Sequence, residues 1–301
     1  MRVRLGIKTT RGARIACWLI VGMLLLAGGA CGSADGDTSS DAELAAVTSL
    51  ELFADLVRQV GGERVEVRAL LPSGADPHTY ELSPGQVADV VRADVVFING
   101  LGLEGNLAEI VEENAGGDVV VLTEGLEANG GNPHLWLDAR RTVGYVETIR
   151  EAFVALDADG AAVYEANAAA YTDSLEALDG QMLAAIDAIA PENRKLVTFH
   201  DAFPYLAERY GLEVVAVVVS SPGKEPSARD VAELVETLQA GGVPAAFKEP
   251  QFSADVLDRA AEDAGVRVLD LLSDAYTDGV GSYLELMRFN IEQLQEGLGA
   301  G

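Results

Sequence analysis

Histidine is almost missing from this chain: three of 301 residues, His78, His134 and His200. Cysteine is rarer still, with only Cys17 and Cys31. Each shortage closes off a class of function. Cys17 falls in an export leader described below, so the mature chain keeps one cysteine at most. No intrachain disulfide and no cysteine-based zinc cluster can then form. Stability has to come from packing, helped by a ligand. There is no H-E-x-x-H phrase and no histidine pair at helical spacing, which excludes that metalloprotease arrangement. The glycines of "GGERVEV" and "GLGLEGN" match no phosphate-cradling loop. No spacing suggests a Ser-His-Asp nucleophile. Basic residues are also scarce, 21 against 48 acidic ones. A nucleic-acid partner is excluded on that ground, since phosphate binding needs a basic surface.

Long apolar runs are lacking as well. The longest, "IACWLIVGMLLL" from Ile15 to Leu26, is 12 residues, short of the ~20 that span a bilayer as a helix. Arg2, Arg4, Lys8, Arg11 and Arg14 precede it and the small residues "AGGACGS" follow it. That is the layout of an export signal over residues 1–30. Cys31 then stands where bacterial lipoproteins carry a lipidated cysteine, although Gly28 departs from the usual leucine. The acidic segment 31–43, "CGSADGDTSSDAE", buries too little apolar surface to fold and reads as a tether. The leader holds five of the basic residues and no acid, so the remainder carries 16 basic against 48 acidic side chains, a formal charge of −32. Such a field attracts cations and equally suits a solubility adaptation.

From residue 44 the pattern alternates. Apolar runs at 44–49, 64–71, 94–100 and 118–122 read as strands. Helical periods intervene over 50–62, from Ser83 and Pro84 onward, and from near Glu104. The same texture returns after residue 190. Strands are expected at 194–200, 212–220, around "VPAAFKEP" and at "VRVLDLL". Helices are expected between them, one capped by Ser227, with a last one over 283–298. Strands alternating with helices imply a parallel α/β sheet. Between the two halves, residues 159–190 are rich in alanine. Val163, Ala166, Ala170, Leu175, Leu178, Met182 and Ile186 form a helical stripe there, with Gly180 as a weak point. This predicts an N-terminal α/β lobe over 44–158, a linking helix over 159–190 and a C-terminal α/β lobe over 191–301. No internal repeat is visible.

The histidines fall at comparable places. His78 lies in a loop after a strand, in "ADPHTYEL". His134 lies in a loop, in "NPHLWLD". His200 ends the first strand of the second lobe. Open parallel sheets bind ligands beyond the carboxyl ends of their strands, so three imidazoles from two lobes could meet in one cleft. A proline precedes two of them, which restrains the loop before any ligand arrives. A lone histidine is as readily a satisfied core or surface residue. Three in such places, with none elsewhere, favour a shared site.

The phrases "LLPSGADPHTYELSPGQVADVVRADVVFINGLGLE", "NPHLWLD", "TFHDAFPYLAERYGL", "AAFKEPQFS" and "LLSDAYTDG" run in an order that resembles the zinc and manganese solute-binding lipoproteins of bacterial ABC transporters. The resemblance covers about Leu44 to Leu298. It implies four side chains around one metal ion: His78, His134, His200 and Asp274. Asp278 is a reserve for the fourth place, and Glu249 either joins the site or serves to orient loops or pair with charge. The implied function is capture of a divalent metal, zinc first and manganese as alternative. Delivery would be to an ABC permease from the outer face of the cytoplasmic membrane or the periplasm, by a monomer anchored through Cys31, with no enzymatic activity. Three imidazoles and one carboxylate suit four-coordinate zinc and leave a net charge of about +1 with a divalent ion. A filled shell suits capture and release, whereas catalytic zinc keeps a position open for water. Many zinc-specific members carry a His- and Asp-rich loop before the second ligand. Here "LTEGLEANGGNPH" has no extra histidine. A zinc hydrolase and a surface adhesin holding incidental metal are the rivals from other classes.

Overall fold

The computed structural model describes residues 42–240 and 242–299. The leader, Cys31 and most of the acidic tether lie outside the described residues. Strand and helix alternate twice along the chain. The first run is β1 (Leu44–Thr48), α1 (Glu51–Gly61), β2 (Val65–Ala69), α2 (Pro84–Arg92), β3 (Val95–Ile98), α3 (Asn106–Asn114) and β4 (Asp118–Val121). Its strands pair in parallel in the order β2-β1-β3-β4. Two helices follow, α4 (Ala139–Leu156) and α5 (Ala161–Asp187). The second run is β5 (Lys195–His200), α6 (Pro204–Tyr210), β6 (Glu213–Val219), α7 (Ala228–Gln239), β7 (Ala245–Lys248), α8 (Asp255–Ala264) and β8 (Arg267–Asp270), with α9 (Tyr283–Leu298) closing the chain. Its order, β6-β5-β7-β8, is also all parallel. The two sheets are topological copies, a repeat of path that the residues themselves do not display.

Local chemistry explains the boundaries. Ser83 and Gln86 form a reciprocal capping box at the start of α2, with Pro84 at its first position, where the missing N–H costs nothing. Ser227 and Asp230 do the same for α7. The four residues of β3 are all buried, as expected of an inner strand covered on both faces. Helix α3 begins two residues later than Glu104, because Glu104 is drawn into the interior instead.

Two helices depart from expectation. Helix α4 was not foreseen. Its buried face is Ala139, Thr142, Tyr145, Val146, Ile149 and Phe153, a stripe diluted by a threonine and a tyrosine. Helix α5 has 27 residues, about 40 Å at 1.5 Å each, and is shorter than the 159–190 segment. It runs unbroken through Gly180. Its buried stripe is Tyr164, Ala168, Tyr171, Leu175, Leu178, Met182 and Ile186. Val163, Ala166 and Ala170 face solvent. The two tyrosines displace the smaller residues because an aromatic ring buries far more area than an alanine.

Helix α5 packs on α1, α4 and α9. One core therefore runs from Val47, Phe53 and Trp136 through Tyr164 and Leu178 to Leu206, Phe247 and Leu286. Side chains of both lobes share it. A smaller cluster around Val197, Leu234 and Leu257 lies in the second lobe.

Candidate metal site

The two sheets aim their carboxyl ends at one place. His78 follows β2, His134 follows β4, His200 is the last residue of β5 and Asp274 follows β8. One ligand atom from each lies within 4.8 Å of the other three. His134 Nε2 and His200 Nε2 are 3.2 Å apart, and His134 Nε2 lies 3.5 Å from Asp274 Oδ1. A tetrahedron with bonds of 2.0–2.1 Å has edges of about 3.3 Å. Those two edges are therefore already near the size that zinc requires.

Each loop is held by its own chemistry. Asp76 Oδ1 accepts the backbone N–H of His78 at 3.0 Å, and Asp76 Oδ2 accepts the Thr79 hydroxyl at 2.7 Å. Gly105, with φ +49°, sits under this loop, where a Cβ would come within 2.9 Å of the His78 carbonyl oxygen. Only glycine takes that conformation and leaves that space. Asn132 Oδ1 accepts both the backbone N–H of His134, at 3.0 Å, and its Nδ1–H, at 2.9 Å. An amide oxygen only accepts, so the His134 proton is on Nδ1 and its Nε2 lone pair faces the site. Asn132 itself donates to the Asp201 carbonyl at 2.7 Å, tying the first lobe's loop to the second lobe. His200 Nδ1 lies 2.6 Å from Glu249 Oε1, which likewise turns Nε2 inward.

The electrostatics divide the four. Burial holds the His78 imidazole down to about 4, despite Asp76 beside it. His134 is held well below the ordinary imidazole range by burial and by its two imidazole neighbours. Both are thus neutral lone-pair donors at pH 7. Burial also pulls His200 down, but the Glu249 carboxylate outweighs it and the result is upward. Burial pushes the Asp274 carboxyl up to about 7, against the pull of His200. Asp274 is 2% exposed, and neither of its oxygens has a hydrogen-bond partner among the described residues.

The reserve residues separate. Asp278 is exposed and stands apart from the four. Glu249 is 1% exposed and touches the ligand set at His200. Sequence reading missed Asn132, which is the residue two before His134 in "NPH", and Ser273, whose hydroxyl donates to Glu249 Oε1 at 2.6 Å. It also missed Glu104. That buried carboxylate accepts the Ser49 hydroxyl at 2.9 Å and the Asn99 and Gly100 amides, and Asn99 donates to the Pro133 carbonyl at 3.0 Å. The signal for Glu104 was its place inside an otherwise apolar loop, "GLGLEGN".

A family profile described as "Zinc-uptake complex component A periplasmic" matches residues 46–297. The chain belongs to this family. Its members are substrate-binding proteins rather than enzymes. Among curated relatives, the manganese-binding lipoprotein MntA of Halalkalibacterium halodurans is 33% identical, covering 93% of this chain and 97% of that protein. The iron ABC transporter substrate-binding lipoprotein MtsA of Streptococcus pyogenes is 27% identical over 95% of this chain and 96% of its own. Among solved structures, the periplasmic zinc-binding protein TroA of Treponema pallidum superposes with a TM-score of 0.78 at 28% identity, covering 85% of this chain and 99% of that one. The paired lobes and the long linking helix are thus this family's architecture.

Proposed function

We propose that the chain captures a divalent transition metal outside the cytoplasmic membrane with His78, His134, His200 and Asp274, and delivers it to an ABC permease. The observation that carries this reading is Asp274. A buried carboxylate without a hydrogen bond is costly, and the groups facing it are imidazole nitrogens that a cation would turn from neighbours into co-ligands. Export and anchoring through a lipid on Cys31 belong to the same reading, supported by the leader's layout and by the word lipoprotein in the names of MntA and MtsA.

Zinc is the preferred ion in this proposal. Three neutral nitrogens and one carboxylate fill a small shell that zinc accepts without geometric preference, while manganese favours more oxygen. A manganese-specific protein of the same type is the second reading, favoured by the name of MntA. Metal analysis of protein purified without added metal, followed by competition calorimetry, separates them. Zinc should bind more tightly, and His200→Glu should narrow the gap. Tighter manganese binding overturns the zinc choice alone. Failure to bind either ion overturns metal capture.

A further inference from the structure

We propose that Glu249 is the second counter-charge of the site, making it electroneutral with a divalent ion and selecting ions by charge. This rests on the metal-capture reading above. Counting the four ligands alone, a bound divalent ion leaves one uncompensated positive charge in a buried place. Glu249 supplies the missing negative charge. It stands in the loop directly after β7, is 1% exposed, and has its Oε1 2.6 Å from His200 Nδ1. Its Oε2 has no hydrogen-bond partner among the described residues.

The cationic side chains around it are engaged elsewhere. Lys248, the preceding residue, points away to Asp258 at 3.0 Å. Arg141, near the His134 loop, lies 3.2 Å from Asp138. Asp76 is partly exposed and hydrogen-bonded to its own loop, where solvent weakens its charge more than that of a fully buried carboxylate. Among the described residues, the buried carboxylates that face the ligand histidines are therefore Asp274 and Glu249, and neither is paired with a lysine or arginine. A divalent ion brings the sum to zero. A monovalent ion leaves −1 and a trivalent ion +1, and a net charge out of water is expensive in either direction.

The geometry makes this charge part of the site. The Ser273 hydroxyl donates to Glu249 Oε1 at 2.6 Å, and Ser273 is the residue before Asp274. Glu249 thus ties the loop that carries Asp274 to the ring of His200. It works through His200 and is a positioning residue as well as a counter-charge. Position and charge can be told apart, because a displaced imidazole weakens every ion, whereas a lost negative charge weakens divalent ions more than monovalent ones.

The test measures Zn²⁺ and Cu⁺ affinities by anaerobic chelator competition. Both filled-shell ions lack geometric preference from d electrons. All samples carry Cys17→Ser and Cys31→Ser so that no thiol competes. In Glu249→Gln, zinc affinity should fall about 10–100-fold while copper falls less, so that the zinc-to-copper ratio drops roughly tenfold. Glu249→Asp keeps the charge and loses the reach. Its ratio should stay near that of the unaltered protein even if both affinities decline, which carries the test should Glu249→Gln not fold. An unchanged ratio in Glu249→Gln, or a collapsed ratio in Glu249→Asp, overturns the counter-charge role. An unaltered chain that binds neither ion overturns metal capture itself.

Discussion

At the scale of single residues, the proposed site is a set of groups costly to bury, a cost that a bound ion would relieve. Asp274 is the extreme case. Its carboxyl is raised from 3.8 to about 7 in the folded chain, chiefly by burial. Between those values the folded state holds a proton that the unfolded state has released. The contribution of this group to stability therefore falls as pH rises from about 4 to 7, by no more than about 1.4 kcal/mol per pH unit for one proton. Asp274→Asn removes that cost. The metal-free variant should melt above the unaltered protein at pH 7.5, with the difference shrinking toward pH 4, and should have lost most of its zinc affinity. Equal melting temperatures at pH 7.5 would show that Asp274 is not strained in the metal-free fold. Asn132→Ala makes the complementary case. It frees the His134 ring to turn and to carry its proton on the wrong nitrogen, so zinc affinity should drop about 10–100-fold with the metal-free fold retained. Undiminished affinity in a titration would remove Asn132 from the machinery. The three histidines stood out because histidine is so scarce, whereas Asp274 came only with the family resemblance; the fold brings a ligand atom of each of the four within 4.8 Å of the others. Asn132 and Ser273 were not legible, because asparagine and serine are common in loops and only the folded contacts distinguish an orienting side chain from a turn residue.

At the scale of elements, the strands and capped helices could be read from apolar runs and from Ser83, Pro84 and Ser227. What could not be read was which face of a long helix turns inward. An alanine-rich segment offers several weak stripes, and Tyr164 and Tyr171 settle the choice in α5 only through the pockets that receive them. Helix α4 hid for a related reason, since Thr142 and Tyr145 are buried through hydrogen bonds. Thr142 Oγ1 is 2.9 Å from the Tyr283 hydroxyl, and the Tyr145 hydroxyl donates to Asn99 Oδ1 at 2.6 Å. Gly180 was read as a weak point, yet it is exposed on an unbroken helix, and a Cβ there would meet nothing within 4 Å. Gly180→Ala should therefore stabilise the protein by about 0.5–1 kcal/mol, or roughly 1–4 °C in melting temperature. A lower melting temperature would mean that the helix needs to bend at this residue.

At the scale of the whole molecule, the question is how far the lobes move when an ion binds. The linking helix alone suggests stiffness, because bending it strains successive backbone hydrogen bonds. The contacts between the lobes add a stronger reason. Trp136 of the first lobe donates through Nε1 to the Ser273 carbonyl of the second at 3.0 Å, and its own carbonyl accepts the Tyr283 hydroxyl at 2.7 Å. Asp55 on α1 accepts the backbone N–H of Tyr283 at 2.8 Å, at the first turn of α9, where a carboxylate also meets the positive end of the helix. Around these bonds the apolar core is continuous from one lobe to the other. Hinge closure would have to open that core and strand several buried polar groups, each costing about 1–3 kcal/mol if left unpaired. Binding energy from one ion is better spent locally. The loops carrying His78, His134 and Asp274 should therefore tighten around the metal while the lobes keep their arrangement. Solution scattering of the metal-free and zinc-loaded protein should give superimposable profiles, and hydrogen exchange should slow mainly in residues 72–82, 122–138 and 271–282. A marked fall in the radius of gyration on adding zinc would contradict the continuous core and place the hinge across Trp136.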